Sequence, residues 1–232
     1  IVFVMYGGSP VDMSFDRSVD AILNMYLPGQ SGGEATHDLL FGKANPSGRL
    51  VETWPVSYDD VPFGEEFTLT TNDRYKESIF VGYRYFDKAK KAVQYPFGHD
   101  LSYTKFEYKN IKLSSKKVKE GEKLTVTFTL KNIGDRAGAE VAQVYVCPPK
   151  SKIFKADREL KGFQKVYLEP GEKKKVSIEL DERAFSYYNV NINDWHAESG
   201  KYGIRKIYTK GELKEQYGQA GPYSFMVEAE DG

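Results

Sequence analysis

The sequence predicts an α/β layer built on a parallel sheet, followed by an all-β antiparallel sandwich. One contrast carries this. The first hundred residues alternate short apolar runs with glycine-rich turns and one helical segment, while the residues after Phe106 alternate apolar and polar side chains with period 2. The composition supports packed cores in both regions, since 17 Tyr and 14 Phe among 232 residues are far more aromatic residues than disordered chains carry. That length accommodates one large domain or two ordinary ones.

Taken in order, residues 1–6 (Ile-Val-Phe-Val-Met-Tyr) form a continuous β-branched and aromatic run stopped by Gly7-Gly8-Ser9-Pro10. This predicts a strand buried on both faces, as in parallel sheets. Residues 18–27 are apolar and read equally as helix or strand. A turn at Pro28-Gly29-Gln30-Ser31-Gly32-Gly33 leads into a helix predicted over 34–41. Glu34 sits in its first turn, Ala35, Leu39 and Leu40 share a face, and Gly42 stands at the C′ position. Asn45-Pro46-Ser47-Gly48 is a further turn, and residues 50–54 read as a strand. Glu65 and Glu66, adjacent on an extended segment, point to opposite faces and read as solvent-facing.

Beyond Phe106 the alternation is strict at 124–130 (Leu-Thr-Val-Thr-Phe-Thr-Leu) and returns at 176–180, with a more fully apolar strand at 141–147. Turns at Asn132-Ile133-Gly134-Asp135 and Glu169-Pro170-Gly171-Glu172 separate the strands. The spacing indicates an antiparallel sandwich of about 100 residues. The mildly basic stretch 114–123 reads as a solvated loop or strand edge.

Several function classes are excluded. Lys plus Arg and Asp plus Glu both number 33, against the basic excess of a nucleic-acid binder. The single Cys147 allows neither a disulfide framework nor a multi-thiolate zinc site, and His37, His99 and His196 have no metal-ligand spacing. No apolar run reaches the roughly 18 residues of a membrane span. The glycines at 29, 32 and 33 lack the GxGxxG or GK(S/T) spacing of a phosphate cradle, so a tight turn is their expected role. The opening residues are neither a leader nor an initiator, and the chain reads as the middle of a larger protein. Neutral charge and one cysteine favour a cytoplasmic bacterial enzyme over a secreted one.

Four segments carry a more specific signal. They are Pro28-Gly29-Gln30-Ser31-Gly32-Gly33-Glu34-Ala35 with Asn45-Pro46-Ser47-Gly48-Arg49-Leu50; Phe80-Val81-Gly82-Tyr83-Arg84-Tyr85-Phe86-Asp87; Tyr95-Pro96-Phe97-Gly98-His99-Asp100-Leu101-Ser102-Tyr103-Thr104-Lys105-Phe106; and Gly138-Ala139-Glu140-Val141-Ala142-Gln143-Val144-Tyr145-Val146 with Arg158-Glu159-Leu160-Lys161-Gly162-Phe163. In this order they resemble the C-terminal half of glycoside hydrolase family 3, the family of many β-glucosidases and β-xylosidases. Asp100 stands where the family pattern has a second glycine, and residues after Tyr202 have no clear counterpart. The resemblance implies that residues 1–105 are the C-terminal part of the family's α/β sandwich domain. It makes 106–205 a fibronectin type III-like domain and leaves 206–232 as a tail of uncertain structure.

The resemblance also implies chemistry. Retaining glycosidases use two carboxylates about 5 Å apart, one a nucleophile and the other an acid and then a base. In the family the nucleophilic aspartate lies on a separate TIM-like barrel and the acid/base glutamate upstream of residue 1, so no catalytic residue is expected in this chain. Asn193-Asp194-Trp195 resembles the context of that nucleophile but falls in the sandwich region. Glu77, Tyr83 and Arg84 are the candidate substrate-binding residues, facing a cleft shared with the barrel. The same side chains read as well as core aromatics and an internal ion pair. The implied role is to complete the cleft wall of an enzyme that cleaves terminal β-glycosidic bonds. The implied partner is a β-glycoside held through the barrel, with no cofactor, metal, nucleic acid or membrane, and an oligomer left open. The alternative is a non-catalytic carbohydrate-binding or protein-interaction module, since such sandwiches host many functions.

Overall fold

The computed structural model describes residues 1–64, 71–72, 74–151, 153–206 and 225–230; Glu65 and Glu66 lie outside them. The chain divides into two units, Ile1–His99 and Asp100–Gly232.

In the first unit, β1 (Val2–Met5) pairs in parallel with β2 (Ala21–Asn24), in register from Val2 opposite Ala21 to Met5 opposite Asn24. The ambiguous stretch is thus a strand. Burial on both faces is not found: Met5 is buried, but Ile1 is 80 % and Val2 52 % exposed. Among the described residues β1 hydrogen-bonds to β2 alone, and one small cluster of Met5, Met13 and Trp54, joined by Phe15 and Ile22, covers it. An apolar strand with a free edge invites association.

Helix α1 (Gly32–Leu40) ends before Gly42, whose φ of 72° supplies the left-handed turn predicted for it. Its buried face is Gly32 and Thr36 rather than Ala35, Leu39 and Leu40. Small residues win because the helix approaches its own entry turn: a Cβ on Gly32 would lie 2.7 Å from Pro28 Cγ. Thr36 donates its hydroxyl to the Gly32 carbonyl at 2.7 Å and meets the Tyr6 hydroxyl at 2.5 Å. The strand predicted over 50–54 shrinks to β3 (Trp54–Pro55), antiparallel to β4 (Val93–Tyr95). Pro55 has no N–H to extend the ladder. Leu50 instead exchanges backbone bonds with His99 (2.9 Å) and Gly98 (2.7 Å). Helix α2 (Tyr83–Ala89) is the other α-helix among the described residues of this unit.

The second unit is the predicted sandwich. Strands β5 (Phe106–Leu113), β7 (Leu124–Asn132) and β10 (Lys173–Leu180) form one antiparallel sheet in the order β10-β7-β5. The other contains β6 (Lys117–Lys119), β8 (Gly138–Cys147), β9 (Glu159–Leu168), β13 (Gly200–Lys206) and β14 (Phe225–Glu230), in the order β6-β14-β13-β8-β9. The stretch 114–123 thus holds an edge strand. A hairpin of β11 (Ser186–Asn189) and β12 (Asp194–Ala197) stands apart. Period 2 translates directly into burial: Leu124, Val126, Phe128 and Leu130 of β7 meet Val176, Ile178 and Leu180 of β10 and Val144 and Val146 of β8. Gly162 lets the sheets close, since a Cβ there would sit 2.5 Å from Ile178 Cγ2.

Asn132, fully buried at the end of β7, ties three segments together. Its Oδ1 accepts from the Thr104 hydroxyl at 2.7 Å and the Gly134 amide at 3.0 Å. Its Nδ2 donates to the carbonyls of Arg136 (2.7 Å) and Leu168 (3.1 Å). Truncation strands several buried polar groups at once. Asn132→Ala is therefore expected to cost about 3 kcal/mol in urea unfolding; a loss below about 1 kcal/mol would show that water replaces the carboxamide.

A second polar contact makes stability depend on pH. Lys155 donates to the Glu198 carboxylate and lies 4.1 Å from the Tyr187 ring centroid. Burial pushes the Glu198 pKa up, but the bonds from Lys155 and Ser151 outweigh it and hold the carboxyl below its ordinary 4.5. A carboxyl depressed by folding contributes stability above its unfolded pKa and loses it as pH falls through the folded value. Glu198→Gln is therefore expected to lower the unfolding midpoint at pH 7 and flatten its decline below pH 4.5, as read from thermal unfolding across pH.

Candidate functional site

Tyr83 and Arg84 open α2 immediately after Gly82, whose φ of 56° and ψ of −133° suit glycine alone. Upstream, the Phe80 amide closes a turn on the Glu77 carbonyl at 2.9 Å. The structure brings two of the three candidates together. The Tyr83 ring stacks on Phe97 (centroids 5.0 Å apart, planes at 28°), and the Arg84 guanidinium carbon lies 5.5 Å from the Tyr83 centroid. Glu77, on the preceding turn, is half-buried, as are Tyr83 and Arg84. Phe86 is the residue that α2 buries, edge-on to Tyr85 at 5.2 Å. Lys91, just past the helix, binds Asp60 Oδ1 at 3.0 Å, and that bond raises the lysine's pKa. The result is an aromatic and cationic pair on a firmly seated helix, able to stack on an apolar ring face and to donate hydrogen bonds.

A second cluster gathers Asp16 and Gln94 around the Tyr95–His99 segment. The Asp16 carboxylate, from the turn Asp16–Ser18, accepts from the Gln94 side-chain amide and, at 3.1 Å, from the Tyr95 hydroxyl. Tyr95 stacks on His99 (5.3 Å, 23°) and meets Trp54 edge-on at 6.2 Å. Burial and the Asp16 contact both raise the Tyr95 pKa, keeping the phenol a donor. Arg49 Nη1 donates to the Gly98 carbonyl at 2.7 Å, so the Asn45-Pro46-Ser47-Gly48-Arg49 segment and the Pro96-Phe97-Gly98-His99 turn form one structure. Those two motifs signalled the turns; nothing in the sequence near Asp16 signalled its distant partners.

Asp194 begins β12 opposite Asn189, with its Oδ1 accepting from the Trp195 amide at 2.7 Å, while Arg183 covers the Trp195 ring at 3.5 Å. The Asn193-Asp194-Trp195 triplet is thus part of a sandwich hairpin. His37 contacts its neighbour Asp38 at 3.2 Å and stacks near Phe41. Among the described residues no group of three or more His, Cys, Asp or Glu could hold a metal ion. Among them, too, no helix is long and apolar enough to cross a membrane.

An α/β unit with the NPSGR and PFG turns, followed by a fibronectin-like sandwich, defines a class of multidomain glycosyl hydrolases. Residues 1–103 match the glycosyl hydrolase family 3 C-terminal domain, and residues 140–205 match the fibronectin type III-like domain. The chain belongs to glycosyl hydrolase family 3, as a counterpart of its C-terminal part. It is 48 % identical over 206 residues to thermostable β-glucosidase B of Acetivibrio thermocellus, covering 88 % of this chain and 27 % of that protein. It is 41 % identical over 210 residues to an exo-α-(1→6)-L-arabinopyranosidase of Bifidobacterium longum, again covering 88 % and 27 %. The chain therefore spans about a quarter of these relatives' length. Among solved structures, the family 3 β-glucosidase of Bifidobacterium adolescentis superimposes with a TM-score of 0.83 at 36 % identity, covering 98 % of this chain and 32 % of that one.

The seating of Tyr83 and Arg84 rests on the backbone at Gly82, where a Cβ would meet no neighbouring atom within 4 Å. Gly82→Ala is consequently a pure test of backbone strain, expected to cost about 1–3 kcal/mol in urea unfolding of the first unit. An unchanged midpoint would mean that the α2 entry relaxes freely.

Proposed function

We propose that this chain is the C-terminal part of a retaining β-glycosidase of the β-glucosidase type, acting on terminal β-glycosidic bonds. The observation that carries the reading is the 48 % identity to a β-glucosidase across 88 % of the chain. In this reading the nucleophile and the acid/base come from the remainder of the enzyme, and the present residues form one wall of its cleft. Tyr83 offers a ring face to the apolar side of a pyranose. Arg84 directs its planar N–H donors at ring hydroxyls, and Glu77 supplies an acceptor. These groups bind and orient the sugar; none forms a bond to it.

The test is a chimera in which this chain replaces the corresponding C-terminal quarter of the Acetivibrio thermocellus enzyme. The chain alone is expected to leave aryl β-D-glucosides and aryl α-L-arabinopyranosides intact, while the chimera turns over at least the former. Tyr83→Ala and Arg84→Ala in the chimera are each expected to lower kcat/KM about ten-fold, the equivalent of about 1.4 kcal/mol. Turnover by the isolated chain would place catalytic carboxylates within it. Tight binding of a β-glycoside by the isolated chain would favour a free-standing binding module instead.

A further inference from the structure

The outward face of the sheet β10-β7-β5 takes no part in anything described above. Residues directly opposite on antiparallel strands project from the same face. Since Leu124, Val126, Phe128 and Leu130 point into the core, Thr125, Thr127, Thr129 and Lys131 run down the middle of the outward face. On one flank β10 sets Lys173 opposite Lys131, Lys175 opposite Thr129 and Ser177 opposite Thr127. On the other flank β5 sets Glu107 opposite Lys131, Lys109 opposite Thr129 and Lys112 opposite Thr127.

Lys109 and Lys112 are three positions apart, and in a regular strand that spacing puts side chains on opposite faces. A bulge between them, with Asn110 at a φ of 54°, returns both to the outside while Tyr108 and Ile111 pack on the core. All five lysines are exposed. Two glutamates share the face: Glu107 pairs with Lys109 at 3.0 Å, and Glu179 with Lys123 at 2.7 Å. Among the described residues, Lys112, Lys131, Lys173 and Lys175 have no ion-pair partner.

Lys131 stands between Lys173 on β10 and Glu107 on β5, so a like charge and an opposite charge act on it from its two sides. The face therefore presents unpaired cations separated by hydroxyls, roughly 5 Å apart between strands and 7 Å along them. Among the described residues it holds no aromatic ring on which a nucleic-acid base would stack and no apolar residue to enter a bilayer. We infer that this face binds an acidic polysaccharide. Its lysines pair with the polymer's carboxylates, and its threonine and serine hydroxyls bond to sugar hydroxyls between them. The inference concerns a different surface from the proposed cleft wall and stands whether or not that reading holds.

Affinity electrophoresis of the 232-residue chain through gels containing polygalacturonate tests it, with neutral dextran, single-stranded DNA and anionic vesicles as competitors. Polygalacturonate is expected to retard the chain at about 20 mM salt and to release it near 300 mM, where screening is short-ranged. Dextran is expected to have no effect. The triple variant K131Q/K173Q/K175Q is expected to weaken binding at least about ten-fold, and K109Q/K112Q on the other flank to weaken it as well. The control K116Q/K119Q, off this face, is expected to bind as the parent does. The triple variant is expected to keep the parent's urea midpoint, because it removes one like-charge and one opposite-charge neighbour pair at Lys131 together. No retardation at low salt would overturn the inference. So would equal losses in the control variant, or stronger competition by DNA or vesicles than by free polygalacturonate.

Discussion

A β-sandwich must turn corners without burying unpaired backbone groups, and in the second unit the hardest corner lies where β7 ends. The chain arriving from residue 104, the turn after β7 and the turn between β9 and β10 converge there. The Asn132 carboxamide satisfies polar groups from all three. Its backbone is engaged as well, the amide donating to the Glu172 carbonyl at 3.0 Å and the carbonyl accepting from Gly171 at 3.1 Å. These contacts fix where β5 enters, since Phe106 lies opposite Asn132, and where β10 begins. The facing of both edge strands follows, and with it the choice of residues that reach the core. Glycine is required at 134 for the same reason: a Cβ there would sit 2.3 Å from the Thr104 hydroxyl.

What the sequence made legible follows from the range of each interaction. Strands β7 and β10 could be read because alternation is a local pattern and their sheet buries one face of it, and β8 because its near-continuous apolar run is equally local. The C-terminus of α1 could be read because Gly42 has a conformational role that few other residues fill. The burial of β1 could not, because it depends on neighbours that an apolar run does not specify. The face of α1 could not either: the close approach to Pro28 favours Gly32 and Thr36 over larger apolar residues, and that contact lies beyond the helix's own periodicity. Pro55 shortened β3 by a local rule, but the pairing of Leu50 with the 98–99 turn that replaced the strand is non-local.

The candidate site shows the same division. The Phe80-Val81-Gly82-Tyr83-Arg84 motif marked a segment of the chain, yet its helical start was hidden in a single glycine at positive φ. The stack of Tyr83 on Phe97 joins two motifs that are separate in sequence. Asp16 was invisible, because a lone aspartate in a turn carries no mark of the Gln94 and Tyr95 side chains it will meet. The basic outer face of the sandwich was hidden for another reason. Its lysines are scattered over three strands within an electrically neutral chain, and only the register and one bulge gather them.

Strand β14 lies between β13 and β6, antiparallel to the first and parallel to the second. Among the described residues β6 has no other partner in that sheet. One end of the larger sheet therefore joins strands that lie more than a hundred residues apart in the sequence. A ribosome delivers β6 long before the strand that must sit beside it, so the nascent sandwich waits with a gap in its sheet until residues 225–230 emerge. Long-range closure of this kind slows folding and leaves an open ladder exposed in the interval. The run of lysines around β6, at 116, 117 and 119, keeps that waiting edge charged and poorly suited to pairing with a second nascent chain.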